Sequence, residues 1–161
     1  MIVYVTYFRY DRGETYSLYH IDRNKTSSIK HFKEEDLPNF LGYGPDDVSQ
    51  LYLVKCKMDK SDYEFLKEWK DNSSVDEYDV EFYGIMEDLH DTVDMDDILY
   101  STTGDENFEV LEYFCNNCNP SDYLTDIPED EDDLKYELQQ VLFDNDSIYE
   151  KILKEYINRY Y

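Results

Sequence analysis

The first half of the chain carries hydrophobic patterns typical of β-strands. Residues 2–10 are rich in β-branched and aromatic side chains, and residues 11–13, Asp-Arg-Gly, follow them as a turn. We therefore predict that residues 2–10 and 14–21 form a β-hairpin closed by a short glycine-containing loop. Apolar residues alternate again within residues 50–58, which predicts a third strand.

The segments between and after these strands have a less regular pattern. Residues 22–49 are polar and contain two prolines and two glycines, so we expect mostly loop with at most one helical turn. Residues 91–104 are likewise predicted as a loop with a helical turn. Residues 60–70 instead show apolar positions at helical spacing, and we predict a helix there that is capped by Asp59 or Ser61. Ser61 and Glu64 have the spacing of a capping box.

The second half of the chain has mainly helical periodicity. Apolar residues within 75–89 recur at steps of three and four, which predicts an amphipathic helix capped by Ser74. Residues 106–116 fit a helix or an edge strand, and we favour the helix. The same period predicts a helix that follows the acidic run 129–133 and a closing amphipathic helix over residues 148–160. Ser147 and Glu150 have the spacing of a capping box, so we predict Ser147 as the cap of this last helix.

Together these elements predict an α+β fold in a single domain that spans residues 1–161. An N-terminal antiparallel sheet, made of the hairpin and the third strand, precedes a mainly helical acidic half. A length of 161 residues suffices for one domain with its own hydrophobic core. The 18 tyrosines and 8 phenylalanines indicate a folded chain, because a disordered chain of net charge −24 would carry few aromatic residues.

Charge is distributed unevenly along the chain. Residues 1–70 hold 12 acidic and 11 basic residues, whereas residues 71–161 hold 27 acidic and 4 basic residues. The stretch from Asp71 to Leu134 contains 22 acidic residues and neither lysine nor arginine. Such an asymmetry is evidence about partners. It disfavours direct binding to nucleic acid or to an anionic membrane, and it favours a strongly basic protein as the partner.

The candidate partner-binding residues are acids from three places. They belong to the predicted 75–89 helix, to the segment that follows it, and to the acidic run 129–133 before the next predicted helix. Six acids on a helix ~24 Å long give one charge per ~4 Å, close to the ~3.4 Å between phosphates along one DNA strand. We therefore expect this surface to imitate a nucleic-acid backbone. The candidate residues are Asp76, Glu77, Asp79, Glu81, Glu87, Asp88, Asp91, Asp94, Asp96, Asp97, Glu129, Asp130, Glu131, Asp132 and Asp133.

In this charge pattern, residues 71–134 resemble the phage-encoded DNA-mimic inhibitors of host nucleases, of the anti-restriction and anti-CRISPR type. The resemblance covers the acidic stretch and rests on charge rather than on a sequence motif. It implies a small cytoplasmic protein, encoded by a phage or another mobile element, that competitively blocks the nucleic-acid groove of a host nuclease. It also implies that the protein has no catalytic residues.

Other interpretations of the acidic half stay open. An immunity protein that neutralises a basic toxin, often itself a nuclease, would use the same electrostatics against one cognate partner. Alternatively, the acids only keep a small protein soluble, although an ordinary soluble surface mixes both signs of charge. The closing helix could pack within the fold or against a second copy, so a homodimer is open as well.

Motifs for catalysis and cofactor binding are scarce, and we predict neither an enzyme nor a bound cofactor. Cys115 and Cys118 form a motif-like pair, but zinc would need two more ligands, and the other cysteine and the histidines show no ligand spacing. We therefore expect reduced thiols and no metal. Residues 144–146 lack the ligand pattern of a calcium loop. The adjacency of His90 and Asp91 predicts a surface pair rather than a catalytic dyad.

Most of the tyrosines are expected in the core or in the sheet. Tyr100, Tyr113 and Tyr123 are flanked by acids and are candidate anchors at a protein interface, because tyrosine is enriched at binding hot spots.

The N-terminal pattern predicts a strand rather than a signal peptide. No apolar run approaches the ~20 residues needed to cross a bilayer. We therefore expect a cytoplasmic protein.

Overall fold

The computed structural model describes residues 1–10, 15–42, 49–72 and 79–161. Its strands are β1 (Ile2–Tyr10), β2 (Thr15–Asp22), β3 (Ser49–Lys57) and β4 (Ile98–Thr103). They form one antiparallel sheet in the order β2-β1-β3-β4. The predicted α+β class, with an N-terminal antiparallel sheet and a mainly helical remainder, is confirmed.

Strand β1 runs through the middle of the sheet and is covered on both faces. Val3, Val5 and Tyr7 belong to the core on one face, whereas Tyr4 and Phe8 pack into the core on the other. Side chains alternate across a strand, so a strand that is apolar at successive positions needs cover on both faces. The sequence of β1 therefore requires helices on both sides of the sheet.

Helices provide this cover. Those in the described ranges are α1 (Lys25–His31), α2 (Leu37–Gly42), α3 (Lys60–Asp71), α4 (Val80–Thr92), α5 (Glu106–Asn117), α6 (Glu131–Asp144) and α7 (Asp146–Tyr160). A π-helical turn, Phe32–Asp36, joins α1 to α2, and 3-10 turns occupy Met95–Asp97 and Pro120–Asp122. None of the described helices is long and apolar enough to span a membrane.

Two hydrophobic cores lie on opposite faces of the sheet. The first, here called the α3/α4 core, joins the sheet to α3 and α4 and contains Val3, Val5, Tyr7, Tyr16, Ile21, Val54, Met58, Leu66, Phe82, Met86 and Leu89. The second, the α5–α7 core, joins the sheet to α1, α2 and the three C-terminal helices and contains Phe32, Leu37, Phe40, Leu41, Leu51, Leu53, Val110, Leu111, Phe114, Leu138, Leu142, Ile152, Leu153, Tyr156 and Ile157. The sheet therefore separates α4 from α6.

The helical segment over residues 25–42 corrects the prediction of a loop there. Asn24 caps it, and its side-chain oxygen accepts a hydrogen bond from the Ser27 amide at 2.9 Å. The polar outer face and Pro38 obscured an apolar stripe that is buried against the sheet. The π-helical turn ends two residues before Pro38, which has no N–H and whose ring does not fit inside a regular helix. The buried stripe consists of Phe32, Leu37, Phe40 and Leu41.

Strand β4 corrects the loop prediction over residues 91–104, although the predicted helical turn is present as Met95–Asp97. The strand pairs with β3 at the edge of the sheet, with Thr102 opposite Leu51 and Tyr100 opposite Leu53. Thr102 is buried and Ser101 is exposed. The alternation is carried partly by threonine and serine, so its hydrophobic pattern is faint in the sequence.

Two predicted helix caps differ from those in the structure. Helix α4 begins after its N-cap Asp79, whose backbone is extended. The predicted helix over 75–89 is therefore wrong in being continuous through residue 79. The predicted cap Ser74 and the hairpin turn 11–13 lie outside the described residues. At α7, the N-cap is Asn145 rather than the predicted Ser147. The Asn145 side-chain oxygen accepts a hydrogen bond from the backbone N–H of Ile148. The predicted helix over 106–116 is confirmed.

Candidate partner-binding surface

Helix α4 presents carboxylates to solvent because its opposite side is fixed to the sheet. Phe82, Met86 and Leu89 are buried in the α3/α4 core, and the Phe82 ring stacks on Trp69 of α3 with ring centroids 4.1 Å apart. At ~100° per residue, the acids of α4 then fall on the outer side. The exposed acids of this helix, here called the α4 acidic face, are Glu81, Glu87, Asp88 and Asp91.

The α4 acidic face is short and moderately dense. Glu81 and Asp91 are ten positions apart, which corresponds to ~15 Å of helix and about one carboxylate per ~5 Å. This spacing is wider than the ~4 Å expected from the sequence, and wider than the ~3.4 Å along a DNA strand. Asp76 and Glu77, which contributed to the predicted spacing, lie outside the described residues.

Asp79 has a structural role at the start of α4. Its carboxylate accepts hydrogen bonds from the backbone N–H groups of Glu81 at 2.8 Å and Phe82 at 3.4 Å. The free N–H groups of a helix N-terminus need such acceptors, and a negative charge there also complements the helix dipole. Asp79 is half-buried, and its carboxylate serves mainly to cap α4 rather than to contact a partner.

The acids that follow α4 extend its exposed surface. Asp94 and Asp96 are exposed in the connection to β4. Asp97 lies 3.8 Å from the Lys55 ammonium on β3, and both side chains are 39–45% exposed. An ion pair this open to water is weak, but it partly neutralises Asp97. The acidic surface beyond α4 therefore rests mainly on Asp94 and Asp96.

Helix α3 and the residue that precedes it contribute acids that the sequence reasoning missed. A shallow cavity of about 290 Å³ between α3 and α4 is lined by Asp59, Asp62 and Asp88, together with the N-terminal Met1 and Lys57. Asp59 and Asp62 belong to the near-neutral first part of the chain, so charge counting along the sequence gave no signal for them. Only the packing of α3 beside α4 places them near Asp88.

The run Glu129–Asp133 lies elsewhere in the molecule. Asp130 is the N-cap of α6, and its carboxylate accepts hydrogen bonds from the backbone N–H groups of Asp132 at 2.9 Å and Asp133 at 3.1 Å. All five acids are exposed. Because α6 packs into the α5–α7 core through Leu138 and Leu142, this run belongs to the layer on the opposite face of the sheet from α4. The predicted residues of α4 and of α6 therefore belong to different layers of the fold.

His90 is a packed residue and not a surface partner of Asp91. Its Nδ1 lies 2.8 Å from the Tyr7 hydroxyl, within hydrogen-bonding distance. The imidazole also contacts the rings of Tyr16 and Tyr52, with centroids 5.9 and 5.6 Å away. Burial raises the pKa of Tyr7 well above its usual value, so its hydroxyl stays protonated. Consecutive residues on a helix point ~100° apart, so Asp91 faces solvent while His90 faces the sheet.

A second histidine cluster connects the sheet to the helical segment over residues 25–42. The His20 and His31 rings stack with centroids 4.0 Å apart, and His31 Nδ1 lies 3.1 Å from the buried Asp36 carboxylate. Burial lowers the pKa of His20, with the neighbouring His31 adding to the effect, and burial raises the pKa of Asp36.

The three cysteines are free thiols. Burial raises the pKa of Cys56 to about 12, and it also raises the pKa of Cys115 and of Cys118. Across the described ranges, no group of three or more histidine, cysteine or carboxylate side chains could hold a metal ion.

The tyrosines singled out from the sequence take part in packing. Tyr100 stacks on Phe32 with centroids 5.4 Å apart, and Tyr123 packs edge-on against Phe114 at 5.2 Å. Tyr113 makes similar edge contacts with the tyrosines of α7. All three are half-buried. Among the described residues, the strongly exposed aromatic side chains are different ones: Phe108, Tyr136, Phe143 and Tyr160.

Comparisons with protein-family models, with curated proteins and with solved structures found no match for this chain.

Proposed function

We propose that this protein is a non-enzymatic inhibitor, encoded by a phage or another mobile element, that acts in the cytoplasm of a bacterial host. Its acidic surface binds the basic nucleic-acid groove of a host defence nuclease, of the restriction or CRISPR type, and excludes DNA or RNA. The observation that supports this most is the α4 acidic face, a set of exposed carboxylates on a helix that is anchored along its other side.

The carboxylates of the α4 acidic face keep their charge available for a partner. In the described part of the chain, ion pairs between lysine and acidic side chains join Lys55 to Asp97, Lys60 to Glu64 and Lys135 to Glu112, and none of them involves a carboxylate of this face. Negative charge that the chain does not neutralise itself attracts a basic protein over long distances. Because the Debye length is only ~10 Å at 0.1 M salt, we expect association that is fast at low salt and weakened at high salt.

The anchoring of α4 favours tight binding as well as attraction. Phe82 and Met86 are at most 2% exposed, so the helix that carries the charges is already ordered before a partner arrives. A preorganised surface avoids part of the entropic cost of association. The ~15 Å length of the face corresponds to only about five phosphates of one DNA strand. The contact would therefore occupy a short part of a nucleic-acid groove, extended by Asp94 and Asp96.

A capture experiment with two charge-matched variants tests this proposal. The α4-neutral variant carries Glu81→Gln, Glu87→Gln, Asp88→Asn and Asp91→Asn. The charge-matched control carries the same four changes in charge on exposed acids elsewhere, as Glu109→Gln, Asp126→Asn, Glu150→Gln and Glu155→Gln. Each tagged protein is incubated with bacterial lysate at low salt, and bound proteins are eluted with duplex DNA and then with high salt.

We expect the wild type and the control to retain a nucleic-acid-binding protein that DNA displaces, and the α4-neutral variant to lose it. Retention by all three proteins would exclude the α4 acidic face as the contact. A retained partner that DNA does not displace would contradict the mimic mechanism and would favour the immunity-protein alternative.

A further inference from the structure

The outer side of α6 carries two large aromatic side chains that the fold does not use. Tyr136 is 63% exposed and Phe143 is 56% exposed, whereas Leu138 and Leu142 on the inner side are almost completely buried. Residues seven positions apart in a helix lie on one stripe, here ~10 Å apart along the axis. Single exposed apolar residues are ordinary, but an aligned pair of rings on one helix stripe offers a surface for contact.

Carboxylates flank this aromatic pair. Asp132 and Asp133 precede Tyr136 by four and three positions, so they lie one turn away on the same side of the helix. Glu137 and Asp144 lie on the adjacent stripe and are also exposed. Lys135 is the single basic residue of α6, and its ammonium pairs with Glu112 of α5 at 3.5 Å, away from the aromatic pair. The outer side of α6 therefore combines flat apolar rings with negative charge that no base on the same helix neutralises.

We propose that the outer side of α6 binds an arginine-rich segment of a basic partner protein. An arginine guanidinium is planar, stacks on an aromatic face and pairs with a carboxylate through two parallel hydrogen bonds, so one side chain matches both features of this surface. A lysine ammonium is a compact and strongly hydrated charge that matches the carboxylates but gains less from the rings.

Other occupants fit this surface less well. An uncharged apolar segment would desolvate the flanking carboxylates without pairing them, which is costly. A second copy of this chain would bring the same acids against one another and add repulsion. The basic character of the partner rests on the proposed function, but the surface is separate from the α4 acidic face, because α6 and α4 pack into cores on opposite faces of the sheet.

Binding of two synthetic peptides to the full chain tests the inference. One peptide contains arginine and glycine, and the other has the same length and charge with lysine in place of every arginine. Affinities are measured by fluorescence anisotropy at a fixed, moderate salt concentration. Two exposed ring contacts correspond to about tenfold tighter binding of the arginine peptide than of the lysine peptide. Equal affinity for the two peptides would overturn the proposal.

Variants of the aromatic pair locate the effect. Tyr136→Leu with Phe143→Leu keeps apolar, helix-compatible side chains but removes both rings, and we expect it to lose the arginine preference while it binds the lysine peptide as before. Phe108→Leu is the matched control, because Phe108 is an exposed ring on α5 that is 67% accessible, and it should keep the preference. A preference that survives loss of Tyr136 and Phe143 would overturn the assignment to α6.

The α4-neutral variant separates this inference from the proposed function. We expect it to keep the arginine preference, since the flanking acids of α6 are unchanged, and loss of the preference would place the peptide site on α4 instead. Failure of DNA to displace a captured partner would contradict the proposed function but would not alter the ratio of peptide affinities.

Discussion

Replacement of Asp79 by alanine separates the structural role of an acidic residue from its role in attracting a partner. The Asp79 carboxylate accepts one short hydrogen bond from the Glu81 amide at 2.8 Å and one at the long limit from the Phe82 amide at 3.4 Å. One good cap bond corresponds to a loss of about 1 kcal/mol when the capping residue becomes alanine. For a chain of this size, that loss lowers the melting temperature by about 2–4 °C.

Asparagine at this position should be much less harmful. Asp79→Asn keeps a side-chain oxygen that can accept the same amide, and it loses only the attraction between a negative charge and the helix dipole, about 0.3–1 kcal/mol. Glu87→Ala is the matched control, since Glu87 is exposed in the interior of α4 and its removal should change stability by less than about 0.5 kcal/mol. The expected order of stability is therefore wild type and Glu87→Ala, then Asp79→Asn, then Asp79→Ala.

Urea unfolding followed by far-ultraviolet circular dichroism gives the required comparison of midpoints. The slope of the transition should be the same in all four proteins, because the surface exposed on unfolding hardly changes. An Asp79→Ala variant as stable as the Glu87→Ala control would refute the capping role. Equal destabilisation by asparagine and alanine would show that the charge, and not the hydrogen bond, is what stabilises α4.

Three further predictions follow from the packed interior. Phe82→Ala removes a ring that is 2% exposed and stacked on Trp69, and it should lower the free energy of unfolding, measured in urea, by about 3–5 kcal/mol. A decrease of less than about 1 kcal/mol would contradict the packing of α4 against α3. Burial and the neighbouring His31 lower the pKa of His20 in the folded protein. Below pH ~6.5 the unfolded chain therefore binds more protons than the folded one, and stability should fall as the pH drops through that value. His20→Phe keeps a ring on His31 and should show a smaller loss between neutral and acidic pH; an identical pH profile would exclude His20 as the cause. Cys56 is partly buried, and burial raises the pKa of its thiol to about 12, so at neutral pH it should react with a disulfide reagent much more slowly in the folded than in the unfolded protein; equal labelling rates of the folded and unfolded Cys115→Ser/Cys118→Ser variant would contradict this.

The sequence predicts the strands of the sheet well where both faces of a strand are apolar. Strand β1 is apolar at successive positions and lies inside the sheet, so its sequence pattern clearly identifies it as a strand. Strand β4 carries threonine and serine at an edge, so its pattern is faint and its pairing with β3 is fixed only in three dimensions. The helices over 25–42 were missed because Pro38 and a polar outer face broke the apparent period, although Phe32 and Leu37 are fully buried.

The acidic surface shows why the site could be predicted only in part. Charge counting identified the exposed acids of α4, but it could not tell that the Glu129–Asp133 run lies on a helix packed against the other face of the sheet. It also missed Asp59 and Asp62, which approach Asp88 through the packing of α3 beside α4. Which acids share a surface depends on tertiary packing, and the local sequence pattern does not reveal it.

The aromatic residues illustrate the same limit. Tyr100 and Tyr123 are flanked by acids in the sequence, yet their rings pack against Phe32 and Phe114 in the core. Tyr136 and Phe143 resemble ordinary members of an amphipathic helix, but the packing of Leu138 and Leu142 leaves them on the outer side. Exposure is set by which stripe of the helix meets the core, and several stripes of α6 contain apolar residues.

Competition for the nucleic-acid groove of a captured partner is the measurement that tests the central claim most directly. With that partner purified, its binding to labelled duplex DNA is followed by anisotropy while wild type, the α4-neutral variant or the charge-matched control is added. The proposed mechanism predicts that wild type and the control displace the DNA at similar concentrations and that the α4-neutral variant requires far more protein. Simultaneous binding of DNA and this protein to the partner, or equal competition by all three proteins, would contradict it.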